Sequence, residues 1–226
     1  KDLGYYFSKV NISIIELEDN KIDLKYNVEL GDKAKIKKIT FIGNKIFKDR
    51  KLRRLISSEE YKFWKFISGK KFLNERQVEL DVRLIRNFYI NNGYYNVKVN
   101  SSFATLLENN EFNLVFNIDA NDKVYFGDLN LILPSDFDQE NFKRIEKLFN
   151  KLKGKPYSIN SIDKILKEID LITAQEQYQF INASVEEDLI ENEINLNFKI
   201  NETEKYYITK INILGNNVTS ENVIRN

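Results

Sequence analysis

The run Glu186-Glu187-Asp188 and the pair Glu202 and Glu204 are the residues whose type and spacing come nearest to acid–base chemistry. Paired carboxylates divide acid and base roles when their surroundings drive their pKa values apart, and they need a nucleophile or metal set beside them. The chain has no histidine and no cysteine, which removes the commonest general base and metal ligand and all thiolate and disulfide chemistry. The acids fall where hairpin turns are expected, so solvated turns account for them. The sequence therefore offers no catalytic, cofactor-binding or metal-binding residue, and no enzyme is expected.

Two other groups are candidates for binding. Tyr61, Phe63, Trp64 and Phe66 form an aromatic cluster between two expected helices and include the single tryptophan. It reads either as a lid packed on its own domain or as a partner contact. Val97, Val99, Ser101, Phe103 and Thr105 alternate with Lys98, Asn100, Ser102 and Ala104, the period of a strand with a mixed-polarity face.

The elements that position these groups occur in repeats. The junction Gly31-Asp32-Lys33-Ala34-Lys35-Ile36 returns as Asn121-Asp122-Lys123-Val124-Tyr125-Phe126, and again as Thr203-Glu204-Lys205-Tyr206-Tyr207-Ile208. A strand follows each: Ile39 to Asn44, Leu129 to Pro134 and Ile211 to Asn216. Long-period self-similarity points to an array of small domains. Within the first full copy, Leu52, Leu55 and Ile56 predict one helix, and Val78, Val82, Ile85 and Tyr89 predict a second. Gly93 ends the second in a left-handed conformation. A hairpin closes the copy, with Phe112, Leu114, Phe116 and Ile118 on its returning strand. The next copy repeats the order with Phe142, Ile145, Leu148, Phe149 and Leu152, then Ile162, Ile165, Leu166, Ile169 and Ile172, then Ile194, Leu196, Phe198 and Ile200. The first copy carries about six extra residues between its helices, around the aromatic cluster.

Lysine plus arginine number 35 against 34 acids, a net charge of +1, which gives no electrostatic basis for nucleic-acid binding. Hydrophobic residues at 42% suffice for packed cores. No run approaches the roughly 18 apolar residues of a membrane-spanning helix. Lys1-Asp2-Leu3-Gly4-Tyr5 reads as the end of a helix, so the sequence is expected to be an excerpt of a longer chain.

The unit order and several motifs resemble the POTRA (polypeptide-transport-associated) domain family. Phe63-Trp64, Ser68-Gly69-Lys70-Lys71-Phe72 and Phe88-Tyr89-Ile90-Asn91-Asn92-Gly93-Tyr94 are similar to the third POTRA domain of the outer-membrane-protein assembly factors. Phe41-Ile42-Gly43-Asn44 resembles the same family, and Val124-Tyr125-Phe126-Gly127-Asp128-Leu129 resembles the start of the fourth. Gln177-Tyr178 and Leu133-Pro134 depart from the pattern and predict two altered turns. The resemblance implies an α+β fold of tandem POTRA domains, each β-α-α-β-β with a three-stranded mixed sheet and two helices on one face. The expected divisions are 1–32, the C-terminal part of one domain; 33–122, a complete third-like domain; 123–204, a complete fourth-like domain; and 205–226, the N-terminal part of a further one. It also implies a periplasmic scaffold at the outer membrane. Its partners would be unfolded β-barrel proteins, accessory lipoproteins and a C-terminal membrane barrel of the same full-length chain. Relatives in two-partner secretion or organelle import are the alternative. The edge strand Val97–Thr105 would bind clients by β-augmentation. Short polar junctions predict an extended array with limited hinging.

Overall fold

The computed structural model describes residues 5, 7–19, 21–44, 46–62, 72–107, 110–176, 178 and 181–202. Phe63, Trp64 and Phe66 lie outside them, as do the junction at Thr203-Glu204-Lys205 and the segment 205–226. None of the described helices is long and apolar enough to cross a membrane.

The described strands form three separate sheets. β1 (Lys9–Leu17) and β2 (Lys21–Glu29) make an antiparallel hairpin. β3 (Lys35–Asn44), β4 (Lys98–Leu107) and β5 (Glu111–Asp119) form a sheet of order β3-β5-β4, with β3 parallel and β4 antiparallel to the central β5. β6 (Tyr125–Ile132), β7 (Ile181–Ile190) and β8 (Glu193–Glu202) repeat that arrangement as β6-β8-β7. Helices α1 (Asp49–Arg53) and α2 (Glu75–Ile90) lie between β3 and β4, and α3 (Lys143–Leu152) and α4 (Ile159–Gln175) between β6 and β7. The order is β-α-α-β-β in both three-stranded units.

Each central strand is apolar at every second residue. Phe112, Leu114, Phe116 and Ile118 of β5 are buried, as are Ile194, Leu196, Phe198 and Ile200 of β8. Alternation sends these side chains to one face of the sheet. The helical stripes meet them there: Val78, Ile85 and Tyr89 from α2, and Ile162, Ile165 and Ile169 from α4, are buried. Val82 and Leu166 are half-buried at the margins of those stripes. The end of β3 requires glycine twice over. Gly43 has φ +89°, and a Cβ there would sit 2.4 Å from the Ile118 carbonyl oxygen.

Two expectations change. The first helix of the first unit stops at Arg53, so Leu55 and Ile56 follow it rather than extend it. The cause is Asp81 of α2, a fully buried carboxylate. It accepts the backbone N–H groups of Ser57 (2.5 Å) and Ser58 (3.0 Å), which draws the chain out of helical geometry. In the second unit the buried Ile165 stands where α2 has Asp81, and α3 runs to Leu152. Second, Glu186-Glu187-Asp188 lies within strand β7, and the turn falls at Glu191, where φ is +53°. Pairing with β8 sets this: Val185, Glu187 and Leu189 stand opposite Phe198, Leu196 and Ile194.

Candidate functional site: an open sheet edge and the joints beside it

The two edges of the first three-stranded sheet are treated differently by the chain. At β3 the segment after α1 covers the backbone. The Ile39 N–H donates to the Glu60 carboxylate at 3.0 Å, and the Ile39 carbonyl accepts from Arg53. Arg53 also holds Glu60 at 2.7 Å. The Tyr61 N–H reaches the Ile36 carbonyl at 2.7 Å, and Leu73 N–H reaches that of Ala34 at 2.9 Å. Burial pushes the Glu60 carboxyl up, but hydrogen bonds from Ile39 and Arg53, with the positive charges of Arg53 and Lys62, together outweigh it and hold it below its ordinary value. Lys35 lies over the Tyr61 ring at 4.9 Å. Tyr61, the described member of the aromatic cluster, is thus seated on its own domain.

The far edge is β4. Its backbone directions follow from those of β3. Ile39 points its N–H and C=O outward, so Thr40 points inward, to the main chain flanking Val115. Leu114 and Phe116 therefore serve β3, and Val115 and Asn117 serve β4. Val99, Ser101 and Phe103 stand opposite Ile118, Phe116 and Leu114, so their N–H and C=O groups point away from the sheet. A register shift between Phe103 and Thr105 places Thr105 opposite Asn113, which turns the Thr105 backbone inward. The strand expected at Val97–Thr105 is thus Lys98–Leu107, with Val97 just before it. The side chains of Val97 and Val99 are buried, whereas Ser101 is exposed. What β4 presents outward is main chain, flanked at its start by the exposed Lys98.

The two units meet at a joint built from residues around Gly93. The Val124 N–H donates to the Gly93 carbonyl at 2.7 Å. Asn91 Oδ1 accepts from Ser158 Oγ and from the Asn160 N–H, both at 2.9 Å. Gly93 has φ +95°, and a Cβ there would lie 3.0 Å from both the Lys123 side chain and Pro156 Cβ. Across the joint, Tyr95 and Tyr157 cross edge to face at 5.0 Å. Both donate their hydroxyls to Glu187 of β7, at 2.9 and 2.6 Å. The hydrogen bond to Glu187, then burial, raises the Tyr95 pKa; for Tyr157 burial comes first and the Glu187 bond second. Glu187, considered from sequence as a candidate acid, is a structural acceptor here. Glu187→Ala should therefore loosen the joint without unfolding either unit. Residual dipolar couplings test this: one alignment tensor should fit both sheets of the parent chain, and two should be needed for the variant.

The same lysine–tyrosine contact marks the preceding joint. Lys33 lies over Tyr5 at 4.9 Å, and Lys123 lies over Tyr94 at 5.9 Å. Phe7 stacks on Phe112 at 6.0 Å, linking the hairpin to the first unit. In the sequence, Gly4-Tyr5-Tyr6 recurs as Gly93-Tyr94-Tyr95, each ahead of an Asp-Lys junction.

Among the described residues no group of three or more histidine, cysteine, aspartate or glutamate side chains is placed to hold a metal ion.

Residues 34–121 match the POTRA family model, described as "Surface antigen variable number repeat". With both three-stranded units in the same topology, the chain is a tandem of POTRA domains. Its relatives are more particular. It is 26% identical over 224 residues to the outer membrane protein assembly factor BamA of Neisseria meningitidis, covering 96% of this chain and 28% of that one. It is 25% identical over 229 residues to BamA of Buchnera aphidicola, covering 99% and 36%. The crystal structure of Haemophilus influenzae BamA POTRA3-5 matches with a TM-score of 0.56 at 14% identity, covering 89% of this chain and 75% of that one. These are POTRA domains of the BamA type. The chain spans about a third or less of the length of those two relatives.

Proposed function

We propose that this chain is the periplasmic scaffold portion of an outer-membrane β-barrel assembly machine, and that it receives unfolded barrel segments by β-augmentation at β4. Accessory lipoproteins and a membrane barrel C-terminal to these domains complete the proposed partners. The observation that carries the reading is the asymmetry of the first sheet: β3 is capped by Arg53, Glu60 and Tyr61, while Val99, Ser101 and Phe103 of β4 direct main-chain groups outward. An added strand bonds to such groups with little demand on its own sequence, which suits many different clients. The names of the relatives, assembly factors, agree with a binding role rather than catalysis.

The domain division supports an array. Aligned on Lys33 and Lys123, β2 places Ile22, Leu24, Tyr26 and Val28 where β5 has Phe112, Leu114, Phe116 and Ile118. In β5 these are core; in β2 they are exposed, Tyr26 at 58%. The hairpin is therefore read as the C-terminal part of a preceding domain, residues 1–32, followed by complete domains at 33–122 and 123–204. Residues 205–226 are read as the start of another.

Phe103→Pro tests the site. The Phe103 N–H points away from the sheet, so proline removes a donor from the open edge and none from the β4–β5 ladder. The probe is a soluble ten-residue peptide alternating valine or phenylalanine with threonine or lysine. Its affinity, by fluorescence anisotropy, should fall at least about tenfold, near 1.4 kcal/mol, with an unchanged melting curve. Unchanged affinity in a folded variant would remove β4 as the site.

A further inference from the structure

We infer that the outer edge of β6 and the groove between β6 and α3 form a second receptor for an extended polypeptide segment of alternating apolar and polar residues. The inference rests on the strand-addition reading of the array, but on a different strand and a different observation. That observation is the comparison of the two units at equivalent positions. Leu129 stands in the second sheet where Ile39 stands in the first: both follow a register shift, and they face Leu196 and Leu114 at matching places in the central strands. Phe126 directs its N–H and C=O outward, to Lys155 and Gly154, just as Ile36 directs its carbonyl to Tyr61. The main chain of Leu129, and of Leu131 two residues on, therefore also points outward.

In the first unit Glu60 and Arg53 satisfy the Ile39 amide and carbonyl. Among the described residues, nothing does this for Leu129 or Leu131. The reason lies in the connection between the helices. In the first unit its described parts, 54–62 and 72–74, bring Glu60, Tyr61 and Leu73 to β3 and the residue before it. In the second, α3 ends at Leu152 and α4 starts at Ile159, so residues 153–158 turn straight into the next helix; they bond the main chain of Val124 and Phe126 and the Asp128 side chain, and stop short of Leu129. Where the covering segment would lie, a groove of about 490 Å³ is left open, with Leu129, Leu131, Leu133, Phe137, Phe142 and Phe149 among its walls.

The first unit supplies the identity of the occupant. There the chain's own main chain and side chains, from Arg53 to Tyr61, occupy the edge. At β6 the equivalent ligand is another extended segment, whose backbone carbonyls and amides replace Glu60 and Arg53 and whose alternate side chains enter the groove. The walls are mixed, so they suit a segment that sets apolar or aromatic side chains against the leucines and phenylalanines and polar ones against the rest. Asn130, Gln139 and Glu146 are the groove's polar lining residues.

The test is an ¹⁵N NMR titration of the whole 226-residue chain with the same alternating ten-residue peptide, following Leu129 and Leu131 at β6 and Ser101 and Phe103 at β4. Saturable shifts at Leu129 and Leu131, with amide exchange slowed at least tenfold, are expected. Leu131→Pro should abolish them while β4 still responds. Should that variant not fold, Gln139→Trp, which fills the groove from the exposed turn before α3, should produce the same loss. Saturation at β4 with β6 unmoved would overturn this inference and leave the β4 reading standing. Saturation at β6 with β4 unmoved would support it and overturn the β4 site. Silence at both edges would overturn both.

Discussion

Phe116→Ala is expected to destabilise the first three-stranded unit by about 3–5 kcal/mol, while the second keeps its fold. Phe116 is fully buried on the central strand β5 and stacks on Phe41, with ring centroids 5.5 Å apart. Alanine leaves a cavity beneath α2 that neighbours on a fixed strand cannot close. For a domain of this size each kcal/mol moves the melting temperature by roughly 4–8 °C, so the first transition should drop by at least about 12 °C. The second core, around Phe149 and Phe198 stacked at 5.4 Å, belongs to a different sheet. Thermal unfolding followed by NMR separates the two: methyl signals of Ile85 should vanish well before those of Ile165. Simultaneous loss of both sets would mean that the cores are not independent.

Asp81→Ala carries the second large effect. The carboxylate sits fully buried in α2 and serves the N–H groups of both Ser57 and Ser58. Alanine strands both donors away from water. At about 1–3 kcal/mol for each of the two unsatisfied groups, the loss is roughly 2–6 kcal/mol. Asp81→Asn keeps one acceptor oxygen, and should lose about half as much. Urea denaturation with an unchanged slope is the measurement. A loss below about 1 kcal/mol for the alanine variant would show that Asp81 does not hold the segment after α1. The consequence reaches the sheet edge, because that segment carries Glu60 and Tyr61 to β3.

The repeat was legible because its signals are local and periodic. Phe112 to Ile118 alternate, Val78 to Tyr89 recur at helical spacing, and Gly43 and Gly93 stand where positive φ is needed. What escaped depends on residues distant in sequence. The end of α1 at Arg53 is set by Asp81, more than twenty positions away. The cap on β3 joins Ile39, Arg53 and Glu60, and no local pattern marks an arginine that will bond a strand carbonyl. Glu186-Glu187-Asp188 looked like a turn because three charges interrupt the apolar run. The flanking Val185 and Leu189, both in step with β8, were the evidence for a strand. At the candidate site, the edge position of β4 followed from the resemblance to POTRA domains. The inward turn of the Thr105 backbone did not, because a register shift leaves no mark in an alternating sequence.

The central claim is that β4 binds an incoming segment through its main chain. Hydrogen exchange of the β4 amides in the peptide-saturated chain tests it most directly. Strand addition predicts a two-residue period: Val99, Ser101 and Phe103, whose N–H groups point outward, should gain at least tenfold protection, while Asn100 and Ser102, already bonded to β5, should change little. Uniform protection along β4, or none at Ser101 and Phe103 when the peptide is bound, would contradict it.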